Sequence, residues 1–80
     1  MNENKKQAIL IAIEEAISTR NAYIDAVMLD KDIVYDFYST IEIAKTWGEI
    51  CKYFGNEGLY EDCQMLIARC EDMVSTADEK

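Results

Sequence analysis

Histidine is absent from this 80-residue chain, and so is proline. Without histidine no Ser–His or Cys–His nucleophile pair can form, no Cys/His zinc set can be assembled, and the Glu-x-x-His element of carboxylate di-metal sites is ruled out. The lack of proline, with only three glycines, leaves little to interrupt long helices. Cysteine is sparse: Cys51, Cys63 and Cys70 are an odd number with no CxxC spacing, which argues against a disulfide scaffold. Apolar runs are short. The longest near the start, residues 8–13, ends at Glu14, too soon for a signal peptide or for a membrane span of ~20 residues. A cytoplasmic location is therefore expected. Basic residues are also few, eight against sixteen acids, giving a net charge of −8. Such a chain lacks the Lys/Arg patches that phosphates need, so direct nucleic-acid binding is not expected.

Other catalytic signatures are missing too. The chain has no Gly-rich phosphate loop, no GxSxG elbow and no alternating acidic calcium loop. The adjacent pairs Glu14–Glu15, Glu61–Asp62 and Glu71–Asp72 diverge on a helix and cannot act as acid/base dyads. These absences predict no catalytic residues, no metal, no cofactor and no enzymatic activity.

What is present is a core. Half the residues are apolar, among them five Tyr, two Phe and one Trp, too many for a disordered acidic tail. The length allows one domain, residues 1–80. Three apolar periodicities organise it. Ile9, Ile13, Ala16, Ile17, Ile24, Val27 and Met28 recur three and four apart, predicting a first helix over 5–28. Ile11 departs from the stripe and would widen it, and Arg20 would lay its stem across the seam. Asp30 or Asp32 can cap the second helix. In that helix, 33–54, Val34, Phe37, Ile41, Ala44, Gly48 and Cys51 form a heptad-like seam. A second edge, Ile33, Thr40, Trp47, Ile50 and Phe54, gives it two faces to cover, as a central helix requires. After a turn at 55–58, Leu59, Cys63, Leu66, Ile67, Cys70 and Val74 define a third helix over 59–74, followed by a polar tail from 75 that should fray. On these faces a reduced Cys serves as a small hydrophobe. Short turns make neighbours antiparallel, so the predicted fold is all-α, an up-down-up three-helix domain.

Residues 47–73 resemble a single tetratricopeptide-repeat-like helical hairpin. Trp47, Ile50, Cys51 and Phe54 stand in the W-x2-L-G-x2-Y pattern of that repeat. Gly58, Leu59, Tyr60, Glu61, Asp62 and Cys63 are similar to the Gly–aromatic–acidic run that opens its second helix. Cys replaces Gly and Ala, Phe replaces Tyr, and the closing Pro is missing. The resemblance implies that Trp47 and Phe54 lie against Ile67 and Cys70, with Cys63 at a close crossing. It also implies a hairpin needing a cover, since such repeats normally stack.

On an up-down-up arrangement the acids gather at one pole. Asp25, Asp30, Asp32, Asp36, Glu71 and Asp72, with Asp78 and Glu79, face only Lys31, Arg69 and Lys80. Solubility alone accounts for charge of this size, and an anionic face for a basic protein partner is the sharper reading. Tyr35, Tyr38, Tyr53 and Tyr60, with Tyr23, exceed what one small core can hide, and tyrosine suits interfaces. The chain is thus expected to be a non-enzymatic protein–protein interaction module or adaptor, self-associating into a homodimer or binding a protein with a basic surface. The alternative is an acidic nucleic-acid mimic, broadly similar to phage-encoded inhibitors that block nucleic-acid-binding proteins.

Overall fold

The computed structural model describes residues 2–26 and 34–79. They form three helices, α1 (Glu3–Ala26), α2 (Val34–Tyr53) and α3 (Glu57–Glu79), so the all-α three-helix architecture stands. Residues 27–33, which carry Val27, Met28, Ile33 and the caps read at Asp30 and Asp32, lie outside the described residues. Among the described residues no helix is long and apolar enough to cross a membrane.

Side-chain capping sets two helix starts. The Asn2 carboxamide oxygen accepts the Lys5 N–H at 2.9 Å, and that of Asn56 accepts the Leu59 N–H at 3.1 Å, each satisfying an otherwise unpaired donor of a first turn. Between α2 and α3 the chain turns within three residues. Gly55 takes φ 76°, its N–H donates to the Lys52 carbonyl, and the Asn56 N–H donates to the Cys51 carbonyl. That pair of bonds is a Schellman closure, and the positive φ is why glycine stands there. Asn56 thus closes α2 and opens α3. The turn is shorter than the 55–58 read from the sequence, because Glu57 and Gly58 already belong to α3. At its other end α3 continues through the segment expected to be a polar tail and runs to Glu79.

Cross-helix contacts give the directions. Tyr23 near the end of α1 donates to the Asp36 carboxylate near the start of α2 at 3.0 Å. The Lys6 ammonium lies 6.0 Å from the centre of the Phe54 ring. These two contacts make α1 and α2 antiparallel. Arg69 of α3 reaches Asn21 and Asp25 of α1, so α1 and α3 run in the same direction. The bundle is a rod of 48 × 18 × 17 Å.

The three helices are not equally close. α2 and α3 pack most intimately, and α1 stands off from both. Side-chain size is the reason. Where α2 crosses α3 the buried residues are Ala44, Gly48 and Cys51 against Cys63 and Cys70, small enough to let the backbones approach. A Cβ built on Gly48 would lie 3.6 Å from Cys63 Cβ. α1 contributes Leu10, Ile13, Ile17 and Ile24, whose bulk holds it away. The predicted seam of α2 is buried from Phe37 to Cys51, with Val34 half-buried, and all six apolar positions named for α3 are buried. Two positions on α1 differ from expectation. Leu10 is buried, while Ile11, expected to widen the stripe, points into solvent with 53 % of its surface exposed. Ile11 and Ile13 sit ~200° apart around a helix, so one wall of the bundle cannot cover both.

Candidate functional site: the surface of the helical bundle

Cys51, Cys63 and Cys70 are free and fully buried. Burial pushes all three thiols above their ordinary range, and Cys63, beside Cys51, is pushed up to about 12. They stay protonated at neutral pH and are poor nucleophiles. Among the described residues no cluster of three His, Cys, Asp or Glu could hold a metal. No buried side-chain nitrogen or oxygen there lacks a partner. Among the described residues the one buried polar side chain, Thr40, donates to the Asp36 carbonyl at 2.9 Å and accepts from Arg20 at 3.4 Å. Arg20 therefore bridges the α1–α2 seam through its guanidinium.

The residues read from the sequence as a contact surface divide into two groups. The topology does bring the end of α1, the start of α2 and the second half of α3 together. Its acids, however, are partly engaged within the chain. Asp25 pairs with Arg69, whose other terminal nitrogen donates to Asn21 at 2.9 Å. Asp36 accepts from Tyr23, and that bond raises the tyrosine's pKa. Glu71 and Asp72 are exposed on α3. Glu71, two residues beyond Arg69, falls on the opposite flank of its helix, so these acids ring the end of the bundle rather than sharing one face. Asp30 and Asp32 lie outside the described residues.

The tyrosines are more telling. Tyr53 and Tyr35 are 85 % and 76 % exposed, and Tyr38 is about half exposed. Helical spacing sets all three, with Glu42 and Glu49, along the outer face of α2. Lys45 pairs with Glu42 at 3.5 Å. Ile43 is exposed at the edge of this face. Tyr60 differs from the others: it is half-buried against the core, and its ring lies beside Gly48.

Trp47 does not stand free. It is half-buried against the core. Thr40, Trp47 and Phe54 recur every seven residues, and the outer two touch Arg20 and Lys6 of α1. Trp47 therefore lies on the α1 side of α2. The sequence reading set Trp47 and Phe54 against Ile67 and Cys70 of α3, but it is the Gly48 side of α2 that meets α3 closely. Two further apolar residues are exposed: Ile11 on the outer surface of α1, and Met65 at the seam of α1 and α3. Met65 was visible as a residue off its stripe. That it opposes α1 depends on the cross-helix register, which no local pattern encodes.

No family model, curated protein or solved structure matches the chain.

Proposed function

We propose that this chain is a non-enzymatic protein-interaction module, engaging a partner with a basic surface through side chains left outside its core. One observation carries the reading: the outer face of α2 keeps Tyr35, Tyr38 and Tyr53 in solvent among Glu42 and Glu49. Large aromatics left outside a closed core are characteristic of contact surfaces, where a ring supplies area and its hydroxyl a hydrogen bond. The surrounding acids and the net charge of −8 favour a basic partner and accelerate encounter with it. Self-association through the same face is the homotypic form of this activity.

The test compares the wild type with a Tyr35→Ala/Tyr38→Ala/Tyr53→Ala variant, which should stay folded because all three rings are exposed. Sedimentation and affinity capture should show a dimer or a retained protein for the wild type and neither for the variant. A strict monomer that retains no protein would refute the module. The acidic-mimic alternative has less support, since Asp25 and Asp36 already have partners inside the chain. A mimic would lose affinity steeply with salt and would be abolished by reversing Asp36 and Asp72 to Lys. An aromatic interface would survive both.

A further inference from the structure

The outer face of α2 carries more than tyrosines. Glu42, Lys45, Glu49 and Lys52 alternate in sign at spacings of three, four and three, which strings them along one flank of the helix. All four are exposed. Lys45 closes on Glu42 at 3.5 Å, and among the described residues Glu49 and Lys52 close no ion pair. The exposed Ile43 and the half-buried Ile50 lie seven residues apart on the other flank. Between the flanks stand Thr46 and Tyr53, also seven apart and both exposed. α2 holds three acids against two lysines, a net −1, whereas α3 holds seven acids against Arg69 alone, a net −6. The negative charge is thus concentrated on α3, and α2 is nearly neutral.

We propose that α2 is a homodimer interface, pairing antiparallel with α2 of a second copy of this chain. The proposal rests on the interaction-module reading and gives its homotypic form a partner and a register. The alternation of sign selects the occupant. In reverse order acid–base–acid–base becomes base–acid–base–acid. In an antiparallel pair Glu42 and Lys45 of one copy therefore meet Lys52 and Glu49 of the other, and the reverse. A uniformly basic surface would satisfy the two glutamates and set like charge against the two lysines. The same register carries Ile43 onto Ile50 of the second copy, because a two-fold axis across antiparallel helices brings each flank to its own counterpart. A parallel pair would instead press the charged flank of one copy on Ile43 and Ile50 of the other, desolvating charges without pairing them. Thr46 is small and lies next to the two-fold axis, where it lets the helices approach. Tyr53 falls over Ser39 and Glu42 of the second copy, within reach for its hydroxyl to donate to the carboxylate. The near neutrality of α2 keeps repulsion low at this surface, although each chain carries a net −8.

Sedimentation equilibrium of the full chain at physiological salt tests the pairing, and the wild type should form a dimer. Lys45→Glu/Lys52→Glu makes the flank wholly acidic, and Glu42→Lys/Glu49→Lys makes it wholly basic. Each should weaken self-association about tenfold or more. Mixing the two should restore a one-to-one heterodimer, a result that charges serving only their own helix would not give. All four positions are exposed, so the variants should remain folded, which circular dichroism checks. Direction is read with a short bis-maleimide, since the native cysteines are buried. Thr46→Cys should cross-link to its copy across the axis, whereas Tyr53→Cys, about 18 Å from its copy along the helices, should not. Cross-linking at both positions would mean a parallel pair and overturn the proposal. A dimer indifferent to both charge variants, or no heterodimer on mixing, would overturn it as well. A strict monomer would also overturn it, while the module reading falls only if affinity capture retains no other protein.

Discussion

Replacing Gly48 by alanine should stabilise the domain, although Gly48 is buried where α2 and α3 come closest. A Cβ added there would meet Cys63 Cβ and Gln64 Nε2 at 3.6 Å and the Tyr60 ring at 3.7 Å, ordinary van der Waals distances rather than clashes. Alanine is favoured over glycine inside a helix by ~1 kcal/mol, and burying one methyl contributes ~0.8 kcal/mol. The expected gain is roughly 1–2 kcal/mol, or about 5–15 °C in Tm for a domain of this size. Thermal and urea melts followed by circular dichroism measure it. Gly48→Val should reverse the sign, because branched carbons beyond Cβ overpack the crossing at a cost of ~1–3 kcal/mol. Gly55→Ala should also lose ~1 kcal/mol, for a different reason. Nothing lies within 4 Å of its added Cβ, but φ 76° strains any L side chain. A Gly48→Ala protein less stable than the wild type would show that the crossing is tighter than these distances allow. It would refute the account of α2–α3 packing given above.

Three further outcomes follow from the same geometry. The buried thiols titrate above their ordinary value of 9.0, so the folded chain keeps protons that the unfolded chain releases. Their contribution to stability is full below about pH 9 and is lost as pH rises toward the folded value, about 12 for Cys63. The slope approaches ~1.4 kcal/mol per pH unit for the Cys63 thiol, and Cys51→Ala/Cys63→Ala should flatten it in urea melts between pH 8 and 11; an unchanged slope would contradict the burial argument. Trp47→Ala should cost ~2 kcal/mol, below the ~3–5 kcal/mol of a fully buried aromatic, because Trp47 is only half-buried on the α1 flank. A variant that cannot fold would place Trp47 at the centre of the core instead. Asn56→Ala should cost ~1 kcal/mol while Asn56→Gly costs only a few tenths, and equal losses in thermal melts would discount the cap on Leu59.

Much of the fold was legible because helix and burial follow from periodicity, a property of neighbours along the chain. The spacing of Phe37, Ile41, Ala44, Gly48 and Cys51, and of Leu59 through Val74, named the buried faces of α2 and α3 before any helix was placed. Where two readings of one stripe compete, the pattern is weaker. On α1 Ile9 and Ile11 flank Leu10, and which of them is buried depends on how far around the helix its neighbours reach.

By itself the sequence determined three helices and their inward faces, because each depends on residue type and local spacing. Only the tertiary structure decided which helix each flank meets. The small residues at Gly48, Cys51 and Cys63 draw α2 onto α3, turn Trp47 toward α1, and leave α1 standing off behind its larger Ile and Leu side chains. Arg69 thereby comes to Asp25, forty-four residues away, and Met65 comes to border the α1–α3 seam with Ile17. Register between helices is a property of the assembled packing, so no single stretch of this chain carries it.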